Sequence, residues 1–88
     1  MHALPQILDF SAARSLRDTI SPLVVLGAMT LDASMVERMS TPCMQVLLAT
    51  GRAAQSLGAS FTIINASPVF LSAIVDLGLQ ADFSDWVN

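Results

Sequence analysis

The feature that most constrains this chain is an alternation. Short runs of branched apolar residues take turns with longer stretches whose apolar residues recur at three and four. The first kind of pattern reads as strand and the second as helix. The changeovers are punctuated: Pro5, Pro22, Pro42 and Pro68 fall at near-regular intervals, and three of the four follow Ser or Thr. A hydroxyl before proline starts a helix, because it accepts from a free first-turn N–H and proline has no N–H to leave unpaired.

Residues 5–8 read as the end of a short strand. Asp9 or Ser11 then caps a helix through Ile20, with Ala13, Leu16 and Ile20 on one face and Arg14, Arg17 and Asp18 toward water. Leu23–Ala28 is a continuous apolar run and predicts a strand buried on both faces, while Asp32–Met39 predicts a connection. Pro42–Leu57 is the clearest helix. Met44, Leu47, Leu48, Gly51, Ala54 and Leu57 share its inner side, and Gly58 supplies a left-handed cap. Ser60–Asn65 predicts a second buried strand. Ser67–Leu77 predicts a further helix with Val69 or Phe70, Ala73, Ile74 and Leu77 inward, closed by Gly78. The tail from Leu79 adds a short strand or turn, with Phe83 and Trp86 as packing anchors. Such alternation implies an α/β fold with a mostly parallel sheet and right-handed crossovers. Four strands are expected, five at most, with about three helices on them.

Composition bounds the function. The 88 residues predict one domain over 1–88, 53% hydrophobic and only 12% charged, where about 25% charged is usual. This leaves either an unusually apolar core or an apolar surface that meets a partner. With four arginines, no lysine, seven acidic residues and a net charge of −3, no basic stripe exists for nucleic acid. No segment approaches the ~18 uninterrupted apolar residues of a membrane span. The opening MHALPQILDF lacks the charged start and long apolar core of a signal peptide. Cys43 is the only cysteine, so it forms no internal disulfide and builds no zinc site, and it fits a reducing compartment. A cytoplasmic protein is expected.

Enzyme signatures are absent: there is no glycine-rich phosphate loop, no GxSxG, and no His, Cys and carboxylate cluster at metal spacing. The one histidine, His2, reads as part of a frayed start rather than as a general base. Cys43 falls in a helix's first turn, where a thiol is activated, but no histidine accompanies it, and a buried apolar role is expected. The chain is expected to be no enzyme and to need no cofactor or metal.

What remains is MSTPC, residues 39–43, two hydroxyls at the start of the clearest helix. Thr41 is expected to cap that helix, contributing on the order of 1 kcal/mol. Asp32, Glu37 and Arg38 flank it, either as a solvated loop or as a charged rim that sets partner choice.

The frame V-x-x-M-S-T-P-C-M-Q-V-L-L from Val36, then SFTIINASP, then an apolar helix ending in LGL, resembles the STAS domain, shared by sulfate transporters and anti-sigma factor antagonists. The family's motif here reads roughly D-S-S/T-G-L and opens the central helix. Its next strand ends in an N-x-S-P-like turn, matched by Asn65, Ala66, Ser67 and Pro68, and its L-x-G-L signature is similar to Asp76-Leu77-Gly78-Leu79. The resemblance runs over about residues 5 to 83. It implies that Thr41 stands where the family carries its phosphorylatable Ser or Thr, with Ser40 as the backup acceptor. Ser40 replaces the usual aspartate, and Pro42 and Cys43 replace a small residue and glycine. It implies a bacterial regulatory module, shortened at its N-terminus and able to form a homodimer. Such modules dock a histidine-kinase-like ATPase of the anti-sigma or chemotaxis type. The implied docking residues are Asp32, Glu37, Arg38, Met39, Ser40, Thr41, Met44 and Gln45. The alternative implied by the same resemblance is a cytoplasmic subunit that braces an ATP-binding-cassette lipid transporter.

Overall fold

The computed structural model describes residues 1–88. The strands are β1 (His2–Ala3), β2 (Ile7–Leu8), β3 (Ala28–Asp32), β4 (Arg38–Met39) and β5 (Ser60–Ile64). The helices are α1 (Ala13–Ile20), α2 (Thr41–Ser56), α3 (Pro68–Asp76) and α4 (Gln80–Phe83). Two 3-10 segments, Phe10–Ala12 and Ser21–Leu26, flank α1. Every strand pairing is parallel. β3 lies between β1 and β5, and β2 pairs separately with β4.

The register explains the core. Met29 faces Phe61 and Leu31 faces Ile63 across β3 and β5, and all four are buried, while Thr30, Thr62 and Ile64 keep partial access. Alternation of this kind turns one sheet face to the helices. Leu16 and Ile20 from α1, Met44, Leu47 and Ala54 from α2, and Phe70 and Ile74 from α3 complete one cluster of 19 buried apolar residues. Each fully buried Leu, Met or Phe side chain among them stabilises by about 1.5–3 kcal/mol. The tail closes the far side. Phe83 and Trp86 are buried anchors, as expected, and Val87 bridges to Ile63, whose N–H donates to the Trp86 carbonyl at 2.7 Å. Trp86 meets Phe61 and Phe83 edge-on, at centroid distances of 5.3 and 5.1 Å. Its indole lies flat against Gly51: a Cβ there would stand 2.5–2.6 Å from three ring carbons. Glycine is what lets the tail pack on α2.

The structure corrects several expectations. Leu23–Ala28 is no strand. Pro22 begins a 3-10 segment that ends at Gly27, whose φ of 87° only glycine adopts cheaply. Val25 and Leu26 are exposed, so the apolar run is not buried on both faces; the strand is the alternating AMTLD that follows. His2 is not frayed but lies in β1, opposite Leu31, with Leu4 buried just after it. The connection Asp32–Met39 contains β4. There are five strands and four α-helices, against four or five strands and about three helices expected. Val69, Leu57 and Leu77 are exposed: Phe70 takes the inward position of α3, and Leu57 and Leu77 are the caps that follow the last residues of α2 and α3. No helix is long and apolar enough to cross a membrane.

Candidate functional site

Parallel strands end together, and the connections that leave them gather at one edge. Here that edge holds the ends of β3, β4 and β5 and the starts of α2 and α3. Backbone hydrogen bonds fix the connection Ala33–Glu37. Ala33 N–H donates to Ile64 C=O at 3.0 Å, Ser67 N–H to Ala33 C=O at 3.2 Å, and Glu37 N–H to Gln6 C=O at 2.8 Å. Buried Ser67 ties the loop to α3, its hydroxyl donating to Val36 C=O at 2.7 Å while accepting from Phe70 N–H at 3.2 Å. Asp32 accepts from Ser34 N–H at 2.9 Å. That bond, with the Ser34 and Asn65 side chains, holds its carboxyl below the ordinary aspartate value against a small opposing effect of desolvation.

The start of α2 departs from the expected geometry. Ser40, not Thr41, is the cap. Its backbone is extended (φ −94°, ψ 159°), its carbonyl accepts from Met44 N–H at 3.0 Å, and its hydroxyl accepts from Cys43 N–H at 3.4 Å. The cause is strand pairing: Ser40 N–H donates to Leu8 C=O at 2.8 Å and so continues β4 to that residue, where the helix must begin. At α3 the N–H of Ser67 is likewise paired from afar, with Ala33 C=O, but there the pairing falls on the residue directly before Pro68, and Ser67 caps as its sequence predicts. Thr41 is thereby freed. It is the first helical residue, exposed, and takes no part in capping. Ser40→Ala is expected to lower stability by about 1 kcal/mol, and Thr41→Ala by under about 0.5 kcal/mol, in urea denaturation. The opposite order would restore Thr41 as the cap.

Of the remaining expected docking residues, Glu37, Arg38 and Gln45 are exposed and Asp32, Met39 and Ser40 half-buried along the same edge. Met44 is not at the surface: it is 0% exposed, packed in the core on the inner side of α2. Cys43 is also fully buried, its thiol donating to Asp9 C=O at 3.3 Å. That bond carries the 3-10 turn Phe10–Ala12 to the helix start. Asp9 accepts from the Ser11 hydroxyl at 2.7 Å, which holds its carboxyl low, and the Arg38 charge adds a smaller pull the same way. Both lowered carboxylates contribute stability that is present above the unfolded aspartate range and lost as pH falls through their folded values.

Two residues at this edge were passed over in the sequence. Phe10 is 76% exposed in the turn tied to Cys43, and Met35 is exposed in the Ala33–Glu37 connection. The available signal was their position: each is a large apolar residue inside a stretch otherwise read as cap or loop.

Comparison with known proteins agrees with the geometry. No curated protein sequence matches the chain. A solved structure of the anti-sigma factor antagonist SpoIIAA in its unphosphorylated form superposes with a TM-score of 0.76 at 18% identity, covering 98% of this chain and 74% of that one. At that identity the likeness shows a shared fold. The family described as "Mlab, STAS domain" matches residues 3–83, and the chain, carrying its central helix and N-x-S-P turn in the right places on the parallel sheet, belongs to the STAS domain family.

Proposed function

We propose that this STAS domain is a non-enzymatic regulatory module of the cytoplasm that docks a protein partner at the sheet edge around Thr41. One observation carries the reading: an exposed hydroxyl stands at the first position of a 16-residue helix, relieved of capping by Ser40. A phosphate on Thr41 would meet the positive end of the helix dipole. It would place a charge of about −1.5 to −2 at the helix start, to which Cys43 ties the turn carrying the exposed Phe10. Docking there would weaken by desolvation and repulsion, and Glu37, Arg38 and Gln45 would set partner choice. The partner class that the family points to is a histidine-kinase-like ATPase of the anti-sigma or chemotaxis type. Affinity capture with the wild-type chain is expected to recover such an ATPase, and Thr41→Glu to lose it by at least about tenfold. Recovery of the same set of proteins by both baits, with no kinase among them, would count against the proposal. Mass spectrometry of the native protein is expected to find phosphate on Thr41, with Ser40, half-buried and engaged as cap, much less occupied.

A second reading, a subunit bracing a transport ATPase, is favoured by the lack of any acidic residue at the start of α2: the first turn has none, and Ser40 stands at the cap where the family carries aspartate. Constitutive packing needs no such carboxylate. Co-purification with a membrane ATPase, indifferent to Thr41→Glu, is its signature.

A further inference from the structure

A second surface runs from the start of α2, at Pro42 and Gln45, along the outer side of that helix. The outer faces of α1 and α2 and the 3-10 segment Ser21–Leu26 enclose an open trough of about 630 Å³. One wall is Val46, Ala49 and Ala53 of α2, and the other carries Arg14 and Arg17 of α1, with Val25 at the rim. Val25 is 77% exposed, an apolar side chain left in water next to an apolar wall. The charge pattern is one-sided. Seven acidic residues outnumber four arginines in the chain, yet the trough is lined by two arginines and no carboxylate. Arg14 is in no ion pair, and Arg17 has only the exposed Asp18 at 3.5 Å, a contact worth little in water.

We propose that this trough docks an amphipathic helix of a partner protein, with an apolar stripe flanked by acidic residues. The alanines of α2 let a second helix approach closely, and the stripe would bring its own bulk against Val46 and Val25. The 16 residues of α2 offer about 24 Å of wall, four turns of helix. A small ligand would stay largely wet in so open a trough, whereas a helix spans both walls. Arg14 and Arg17 then set the sign and orientation of what docks. The inference rests on Arg14, Arg17 and the alanines of α2 rather than on Thr41, although Pro42 and Gln45 beside Thr41 close one end of the trough.

The test uses the full chain and two labelled, helix-stabilised peptides of about four turns. Both carry leucines at i, i+3, i+4 and i+7; one has glutamates on the flanks and the other lysines. Fluorescence anisotropy is expected to show the glutamate peptide binding at least about tenfold more tightly, with the gap narrowing as salt is raised. The double substitution Arg14→Glu, Arg17→Glu is expected to invert the preference. Both positions are exposed, and circular dichroism together with the milder Arg14→Gln, Arg17→Gln pair checks that the fold is kept. Amide shifts on binding are expected along α1, Ser21–Leu26 and α2. Equal affinity for the two peptides, no binding of either, no inversion in the variant, or shifts confined to other elements would each overturn the proposal. So would a wild-type dimer that the arginine reversal dissolves, since a second copy would then fill the trough.

Discussion

Replacing Gly51 by valine is expected to destabilise the domain by about 3 kcal/mol, the upper part of the range for overpacking a filled site. A Cβ at this position lies 2.5–2.6 Å from Cη2, Cζ2 and Cζ3 of Trp86. The indole has no room to retreat, since Phe61 and Phe83 hold it edge-on from two sides. Alanine separates two opposed effects. Helix propensity alone would make Gly51→Ala stabilising by about 1 kcal/mol. The clash argues for a net loss of about 1–2 kcal/mol, and because the neighbour is a wedged ring rather than a flexible chain end, the clash should win. Urea denaturation followed by the fluorescence of the chain's one tryptophan measures both. The decisive comparison is a cycle with Trp86→Ala: once the ring is gone, Gly51→Ala should turn neutral or stabilising. A stabilising Gly51→Ala in the intact protein would mean that the tail does not pack on α2.

Phe70→Ala is the second large effect, with an expected loss of about 3–5 kcal/mol. An 88-residue domain has roughly 4–13 kcal/mol to lose, so this one substitution removes about a quarter or more of its stability. Phe70 is 0% exposed and meets Phe83 edge-on at 6.3 Å, so truncation opens a cavity between α3 and the tail that neither can easily fill. Its neighbour Val69 is 40% exposed, and Val69→Ala should cost under about 1 kcal/mol. Thermal denaturation of the pair reads the inward face of α3 directly. Similar shifts in Tm for the two variants would contradict the packing described here.

That pair also shows where local pattern runs out. The spacing of α3 left Val69 and Phe70 as equal claimants for the core, because both fit a stripe at three and four. Which one turns inward depends on where Phe83 arrives, and Phe83 comes from a tail whose path no local pattern specifies. The same holds for Leu23–Leu26. Four apolar residues in a row satisfied a buried strand, but Pro22 and Gly27 bracketed them into a 3-10 segment that leaves Val25 and Leu26 in water. The two flanking breakers were visible; the weight of the apolar run concealed them.

The candidate site was half legible. The helix start, its hydroxyl pair and the neighbouring charges could be read from MSTPC and its surroundings, and Glu37, Arg38, Thr41 and Gln45 do stand exposed at the sheet edge. Met44 has two readings in the sequence, inner side of α2 by its spacing to Leu47, Gly51 and Ala54 and docking residue by its nearness to Thr41, and the structure keeps only the first: it is fully buried. Phe10 and Met35 join the edge only through contacts between distant segments, such as the Cys43 thiol on Asp9 C=O and Glu37 N–H on Gln6 C=O.

By itself, then, the sequence determined the parallel α/β class and the order and positions of the long helices, though not every strand. Each of these follows from short-range causes: residue periodicity, a hydroxyl before proline, a glycine after a helix. Only the tertiary structure decided that Ser40 caps α2 while Thr41 is left free. The Ser40 N–H is claimed by Leu8 C=O from 32 residues earlier, and a hydrogen bond across that distance moves a helix boundary by one residue, which is enough to change the task of a side chain.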